Sequence, residues 1–181
     1  LSDGGVHSHI DHLAALLELA QREGIPALVH AFLDGRDTPP CSGSDYVKHL
    51  QPVLERTGAR LADMVGRFYV MDRDKHWERV ELAWNMLIHG QGEKAADAVE
   101  ALQAAYAAGE TDEFMNPRLL LDPSESCIRD GDGVFCFNFR ADRGRELVRT
   151  LTDPDFTGFD RGRLPDMAGI ASMTCYESSL N

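Results

Sequence analysis

Residues 27–33 read "ALVHAFL", and the seven residues that follow, 34–40, read "DGRDTPP". A nearly continuous apolar run of this length is typical of a strand that is covered on both faces, as in a parallel sheet. The glycine, prolines and aspartates of the second segment predict a loop. The stretch therefore predicts a buried strand with a polar loop at its carboxyl end.

Helical patterns surround this strand. Apolar residues recur at helical spacing before and after it, and glycines stand where several of the predicted helices end. We predict helices over 6–23, 45–55, 77–90, 95–109 and 140–151, and further strands over 60–65, 134–139 and 167–174. The second helix should be broken or kinked near Pro52. Strands that alternate with helices predict one α/β domain over residues 1–181, with three αβα layers and a mostly parallel sheet flanked by helices.

The composition excludes several classes of function. The chain is 43% hydrophobic and 27% charged, as in ordinary globular proteins, and its formal net charge of -12 argues against nucleic acid or an anionic membrane as a partner. No apolar run approaches the roughly 20 residues that cross a bilayer. Four scattered cysteines without a C-x-x-C pair predict reduced thiols in a cytoplasmic protein and argue against structural zinc.

The 18 basic residues comprise 15 arginines and only 3 lysines. Five of the arginines and one aspartate fall in polar segments that follow predicted strands: Arg36, Asp37, Arg67, Arg73, Arg140 and Arg143. Open α/β sheets bind ligands outside the carboxyl ends of their strands. Convergence of these arginines at one edge would focus a small, multiply charged anion onto an otherwise acidic protein.

Simpler explanations of these residues remain open. The arginines could form ion pairs with neighbouring aspartates, and an arginine-rich codon bias could explain their excess. Asp37 could titrate or hydrogen-bond a substrate hydroxyl, or it could only cap the helix that follows Pro39 and Pro40.

Three histidines, His7, His9 and His12, lie within six residues. On one helix, steps of two and five residues rotate the side chains by about 200° and 140°, so three metal ligands could not share a face. On a strand, His7 and His9 would point together, as in some metal hydrolases. Because a helical pattern begins after Gly4 and Gly5, we expect His7 at or just before a helix N-terminus, where anions are attracted. The sequence therefore predicts no metal site.

Five blocks of the sequence carry a resemblance to a known family. They read "LSDGGVHSHIDHL" (1–13), "FLDGRDTPP" (32–40), "GRFYVMDRDKHWERV" (66–80), "DGDGVFCFNFRADRGREL" (130–147) and "GFDRG" (158–162). In order, and along essentially the whole chain, they resemble the signature blocks of the cofactor-independent (2,3-bisphosphoglycerate-independent) phosphoglycerate mutases. That family has an alkaline-phosphatase-like domain and an inserted transferase domain, and residues 1–181 resemble the inserted domain alone. The resemblance implies a strand that precedes Leu1, and cut ends that include "SSLN" at 178–181.

The resemblance also implies site residues. The family's substrate contacts fall on His7, Arg36, Asp37, Arg67, Arg73, Arg140 and Arg143. The arginines would clamp the substrate's carboxylate and phosphate, and His7 would contact the phosphate. Asp37 would bind the glycerate hydroxyls and act as the catalytic acid and base. No cofactor is implied for this chain, because the two Mn²⁺ ions and the serine that accepts the phosphoryl group belong to the phosphatase-like domain.

The implied reaction is the glycolytic interconversion of 3-phosphoglycerate and 2-phosphoglycerate, through a phosphoserine on the other domain of the same polypeptide. We expect this chain alone to fold and to bind substrate weakly without mutase activity. Three alternatives remain open: a non-catalytic binding module for phosphorylated or carboxylated metabolites, a metal-dependent hydrolase that uses His7 and His9, and a structural fragment that does not fold properly by itself.

Overall fold

The predicted strand at 27–33 forms in a computed structural model of the chain, which describes residues 1–178. The helices are α1 (Ile10–Arg22), α2 (Gly43–Thr57), α3 (Arg67–Val70), α4 (Trp77–His89), α5 (Ala98–Ala107), α6 (Pro123–Ser126) and α7 (Arg145–Thr152). The strands are β1 (Leu28–Leu33), β2 (Arg60–Gly66), β3 (Glu93–Lys94), β4 (Arg118–Leu119), β5 (Gly133–Cys136) and β6 (Gly169–Ser172), and short 3₁₀ helices span Asp112–Phe114 and Ala141–Arg143. All but the first residue of the "SSLN" tail lie outside the described residues.

The strands belong to two sheets. Four form a sheet in the order β1-β2-β4-β3, and β5 pairs with β6 in a second sheet. Strands β1 and β2 are parallel and connected by α2, as a βαβ unit requires. The pairs β3–β4 and β5–β6 are also parallel, and only β2–β4 is antiparallel in the described part of the chain. The mostly parallel α/β class is confirmed, although the strands do not join into one sheet.

Helices cover both faces of the four-stranded sheet. On one face, Val29 and Ala31 of β1 and Met64 of β2 pack with buried residues of α1, α2 and α5. On the other face, Val65 of β2 packs with buried residues of α3, α4 and α7, including the fully buried Trp84. The predicted αβα layering therefore follows from the alternation of side chains along the two buried strands.

Helix α2 contains Pro52 without ending there, so the predicted break near this residue is wrong. A proline within a helix leaves the carbonyl one turn earlier without its N–H donor. Pro52 is exposed, and so is Lys48 four residues before it. Water can therefore bond the released carbonyl, and the buried apolar face of the helix stays intact.

The strand predicted over 134–139 is shorter than expected, because β5 stops after four residues. Beyond it, the backbone bonds to partners outside the sheet. The Phe139 N–H donates to the His7 carbonyl at 2.8 Å, and the Tyr176 hydroxyl donates to the Asn138 carbonyl at 2.7 Å. These bonds turn the chain away from β6 and bring the following segment beside residue 7.

The helix predicted over 140–151 begins only at Arg145. The preceding residues form the 3₁₀ helix Ala141–Arg143, for which Arg140 is the N-terminal flanking residue. Arg140 and Arg143 therefore lie in the turn between β5 and α7. Residues 1–178 include no helix with the length and hydropathy to cross a bilayer.

A cavity of about 910 Å³ lies between the two sheets. Its walls include the consecutive residues 25–32, which contain most of β1, and 131–138, which contain β5. Most of the cavity is apolar, but His7, Arg67 and Arg143 line its polar end. The loops that carry the predicted site meet at this end.

Candidate functional site

The loop after β1 forms one wall of the site. Asp34 directly follows the strand, and its Oδ1 accepts hydrogen bonds from the backbone N–H groups of Arg36 at 3.3 Å and Asp37 at 3.0 Å. Gly35 has a φ of +66°, and a Cβ there would lie 2.7 Å from the backbone nitrogen of Glu113. The loop therefore requires glycine at 35, and its tight turn fixes the backbone that carries Arg36 and Asp37.

Arg67 lies at the centre of the site. It is the first residue of α3, directly after β2, and only 3% of its surface is exposed. Its NH1 bonds to Asp34 Oδ1 at 2.6 Å and also to Asp37 Oδ2, so one guanidinium links the two carboxylates of the β1 loop. Burial acts to raise the pKa of Asp34, but bonds from the Asp37 N–H and Arg67 lower it overall. The buried ion pairs hold Asp37 in a fixed orientation.

His7 lies against the same guanidinium. Its Nε2 is 3.1 Å from Arg67 NH2 and 3.7 Å from Asp37 Oδ2. Because a guanidinium nitrogen can only donate, Nε2 must accept, which leaves the proton of a neutral ring on Nδ1. Burial lowers the pKa of His7, and the charge of Arg67 lowers it further. The imidazole therefore favours its neutral form, with Nδ1 on the side of Asp142, whose Oδ1 is 3.8 Å away.

Asp142 joins the outer arginines. Its Oδ2 accepts a bond of 3.2 Å from Arg73 NH1, and its Oδ1 lies 2.9 Å from Arg140 Nε. That Oδ1 accepts no hydrogen bond, so its contact with Arg140 is an ion pair without good bonding geometry. Burial acts to raise the pKa of Asp142, but Arg140 and the other cations hold this pKa below its usual range. Two flexible arginines therefore share one anchor.

Arg143 and Arg36 complete the set. Arg143 NH1 donates to the Met71 carbonyl at 2.8 Å, which ties the 3₁₀ helix to the end of α3. Burial lowers the pKa of Arg143, and the positive charges of Arg67, Arg73 and Arg36 lower it further. Arg36 is the outermost member, with its side chain 59% exposed and 3.2 Å from the carboxylate of Glu113. All five predicted arginines therefore surround one volume.

This arrangement suits a small ligand with more than one negative group. Arginine forks bind carboxylate and phosphate bidentately, and clustered like charges gain from an anion placed between them. The ion pairs of the outer arginines are partly exposed, and such pairs contribute little free energy. A ligand phosphate or carboxylate could replace these partners at low cost.

The structure adds three acidic residues that the sequence analysis did not select. Asp34 and Asp142 stand in the same short motifs, "DGRD" and "RADR", as the predicted arginines, and their spacing could have suggested a role as local anchors. Glu113, which holds Arg36, lies on a distant 3₁₀ helix, and no sequence signal links the two. Individual arginines therefore do form ion pairs with acidic neighbours, as the simpler explanation held. The arginines nevertheless also converge on one part of the molecule.

The other two histidines have structural contacts. His9 precedes α1 as its N-cap, and its Nδ1 accepts the Asp11 N–H at 3.2 Å. The ring of His12 meets that of Phe139 edge to face. Within residues 1–178, neither His7 nor His9 belongs to a group of three potential metal ligands. The contact of His7 with a guanidinium also disfavours a cation there, so the geometry does not support a metal hydrolase.

Fold and site together define a class of protein: an α/β domain whose strand-end loops bring arginines, a histidine and an aspartate close together. A family described as "BPG-independent PGAM N-terminus" matches residues 1–178. The chain therefore belongs to the 2,3-bisphosphoglycerate-independent phosphoglycerate mutase family and represents its N-terminal domain.

Individual relatives agree with this membership. The phosphoglycerate mutase of this type from Lawsonia intracellularis is 52% identical over 182 residues, and that from Nitratidesulfovibrio vulgaris is 55% identical over 183. Each alignment covers at least 99% of this chain but 36% of the relative. The solved structure of Leishmania mexicana phosphoglycerate mutase at low cobalt concentration superposes with a TM-score of 0.92 at 35% identity, covering 99% of this chain and 35% of that one. The chain thus spans about a third of the length of these relatives.

Proposed function

We propose that this chain is the substrate-binding phosphotransferase domain of an enzyme that interconverts 3-phosphoglycerate and 2-phosphoglycerate, an isomerase of glycolysis. The observation that carries the proposal is the convergence of five arginines with His7 and Asp37 at the carboxyl ends of β1 and β2. Both phosphoglycerates carry a carboxylate and a phosphate on a three-carbon frame. Such a ligand matches a small volume lined by several guanidinium groups.

The residues divide between two tasks. Arg36, Arg73, Arg140 and Arg143 have the exposure or the freedom to bind the carboxylate and phosphate, and His7 contacts the phosphate. Asp37 lies beside His7 and Arg67, with about a quarter of its side chain exposed. It relays a proton between the two glycerate oxygens: the oxygen that loses the phosphoryl group gains a proton, and the oxygen that receives the phosphoryl group loses one.

The remaining chemistry belongs to a phosphatase-like domain of the same polypeptide. That domain supplies the serine that carries the phosphoryl group between the two positions, and two Mn²⁺ ions. The present chain needs no cofactor and retains the glycerate during transfer, because released glycerate would convert the mutase into a phosphatase. We also place the enzyme in the cytoplasm. Cys41, Cys127 and Cys136 are unpaired thiols in the described part of the chain, which fits a reducing compartment.

The proposal is tested by titrating the 181-residue chain with 3-phosphoglycerate and following backbone NMR signals. The wild type should bind saturably and show no mutase activity. Arg73→Ala should bind much more weakly, while the matched control Arg163→Ala should bind like the wild type, because Arg163 is an exposed arginine that pairs with Asp130 and neither residue belongs to the candidate site. No binding by a folded wild-type chain would contradict the proposal. Equal affinity for glycerol 3-phosphate, which lacks the carboxylate, would favour the non-catalytic metabolite-binding module.

A further inference from the structure

Two buried carboxyl groups lie behind Arg73, outside the anion site itself. Asp72 is 5% exposed and stands directly before this arginine, in the loop between α3 and α4. Glu146 is 7% exposed and is the second residue of α7. Acidic side chains are seldom buried to this extent unless they have a defined partner.

Both carboxyl groups bind the backbone of the loop 72–76, which we call the Arg73 loop. Asp72 Oδ2 accepts the N–H groups of Asp74 and His76, each at 2.9 Å. Glu146 Oε1 accepts the N–H of Lys75, also at 2.9 Å. Three successive backbone donors are therefore satisfied by two side chains from different parts of the chain.

The Arg73 loop needs this support. Lys75 has a φ of +62° and is the one non-glycine residue with positive φ in the described part of the chain. This conformation is unfavourable for a residue with a Cβ, and it persists only when the surroundings hold it. The bond from Lys75 N–H to Glu146 lies at this strained residue, two positions from Arg73.

The two carboxyl groups also face each other. The carboxyl groups of Glu146 and Asp72 are hydrogen-bonding neighbours. Because Oε1 of Glu146 already accepts the Lys75 N–H, the buried Oε2, which has no other partner, is the oxygen free for this contact. Two carboxylates have no hydrogen to share, so a bond between them requires a proton on one. The two N–H donors to Asp72 favour its anionic form, which leaves Oε2 of Glu146 as the place for the proton.

We propose that Glu146 is held as a carboxylic acid that donates to the Asp72 carboxylate, and that this pair is the positioning device that sets the Arg73 loop for anion binding. Asp72 and Glu146 are positioning residues, because they bind the loop and not the ligand. The role assigned to Arg73 rests on the proposed function, whereas the pairing and its effect on the loop do not.

The pKa values agree with this arrangement. Burial raises the pKa of Glu146, and the charges of Asp72 and Asp74 raise it further, against the bond from Lys75. Burial acts to raise the pKa of Asp72, but the N–H bonds from His76 and Asp74 lower this pKa overall. The other charged and titratable groups around the pair are Arg73, Lys75, Arg79, Asp142, Arg145, Arg149, Tyr176, Glu177 and the His76 ring.

The raised pKa of Glu146 determines how the order of the Arg73 loop depends on pH. A carboxyl whose pKa is raised in the ordered loop retains its proton where the disordered loop has released it. The order of the loop is therefore complete below the ordinary glutamate pKa of about 4.3 and declines as pH rises through the raised value. Above the raised pKa of Glu146, two adjacent carboxylates repel each other, and the backbone of the Arg73 loop loses its fixed position.

The test compares Glu146→Gln with Glu146→Ala in the 181-residue chain. Glutamine has a carbonyl for the Lys75 N–H and an amide donor for Asp72, so it imitates the protonated acid at every pH. Glu125→Gln is the matched control, since Glu125 is an exposed glutamate paired with Arg60 on α6 and β2. The amide signals of Asp74, Lys75 and His76 are followed from pH 4 to 8, with and without 3-phosphoglycerate. His76→Gln tests whether the His76 side chain contributes to any change in these signals.

We expect the three wild-type amides to titrate together above the ordinary glutamate range. This transition should persist in Glu125→Gln and His76→Gln and be absent from Glu146→Gln. Glu146→Gln should bind 3-phosphoglycerate at least as tightly as the wild type, whereas Glu146→Ala should bind on the order of tenfold more weakly.

Two results would overturn the proposal: an unchanged amide transition in Glu146→Gln, or a loss of affinity in Glu146→Gln as large as in Glu146→Ala. If the amides behave as expected but the wild type does not bind 3-phosphoglycerate, the pair stands and the proposed function fails. If Glu146→Ala does not fold, the comparison of Glu146→Gln with the wild type still decides, because an unchanged amide transition in Glu146→Gln, or a loss of its affinity of about tenfold relative to the wild type, would overturn the proposal.

Discussion

Arg67 and Arg73 belong to the same candidate site but have opposite surroundings. Arg67 is buried and contacts Asp34, Asp37 and His7. The side chain of Arg73 is 49% exposed and has one contact of 3.2 Å to a shared aspartate. Arg36 and Arg140 resemble Arg73, with side chains 59% and 50% exposed.

This difference predicts a structural role, as part of the framework of the site, for Arg67 and a ligand-binding role for Arg73. The bonds and ion pairs of the buried Arg67 guanidinium compensate for its loss of hydration, and removal of Arg67 leaves two carboxylates without a countercharge. An exposed arginine with one weak partner contributes little to stability and can turn to a ligand. Residues that the sequence places in one functional set should therefore respond differently to the same substitution.

The largest effect is expected for Arg67→Ala. Loss of the buried guanidinium leaves the half-buried Asp34 and the partly exposed Asp37 without their countercharge, which should lower the free energy of unfolding by about 3 kcal/mol, the low end for a broken buried ion pair, and abolish ligand binding. Chemical denaturation of the 181-residue chain measures the first effect. The exposed control Arg163→Ala should change it by less than about 0.5 kcal/mol. A stability loss in Arg67→Ala no larger than in the control would show that Arg67 is not part of the framework.

Arg73→Ala should show the reverse pattern. Its stability should fall by less than about 1 kcal/mol, because its ion pair is exposed. Its affinity for 3-phosphoglycerate should fall by about 1.5–3 kcal/mol, or roughly 10- to 150-fold, because a charge-assisted bond to the ligand is lost. Calorimetric titration measures the affinity. A variant that loses stability but keeps its affinity would place Arg73 in the framework instead.

The buried His7 should make the free energy of unfolding depend on pH. Because burial and Arg67 lower its folded-state pKa, the unfolded chain binds more protons just below the ordinary histidine pKa of about 6.5. The free energy of unfolding should therefore fall as pH decreases from about 6.5 toward the lowered value, by at most about 1.4 kcal/mol for each unit of pKa difference. Denaturation curves between pH 5 and 7.5 measure it.

The matched pair for that experiment is His7→Gln and His49→Gln, since His49 is exposed on α2. His7→Gln should reduce the slope of stability against pH by more than His49→Gln does. An equal slope in the wild type and His7→Gln would mean that His7 ionises alike in the folded and unfolded chain.

Arg36→Ala should give the smallest effect. The Arg36 side chain is 59% exposed, so its ion pair with Glu113 is screened by solvent and stability should fall by less than about 1 kcal/mol. Affinity for 3-phosphoglycerate should fall less than in Arg73→Ala, and the difference should shrink at high salt, where exposed charges are screened. Equal losses in both variants at every salt concentration would show that Arg36 contributes as much to binding as Arg73.

Local pattern was sufficient for much of the architecture. The apolar run at 27–33 predicted β1, and the helical spacing after it predicted α2, α4 and α5 within a few residues of their observed ends. The same pattern placed Arg36, Arg67 and Arg140 after strands. It failed at 134–139, where the apolar run continues but the backbone bonds to His7 and Tyr176 instead of a neighbouring strand.

By itself, then, the sequence determined the α/β class, the strand-end loops with their arginines, and the blocks that the family shares. These depend on the spacing and chemical type of neighbouring residues, which act over one or two turns of chain. Tertiary structure alone decided that β4 runs antiparallel, that Arg67 is buried while Arg73 is exposed, and that Glu146 meets Asp72 from 74 residues away. Such pairings join segments far apart in the chain, and their energies depend on burial and charge that no local pattern records.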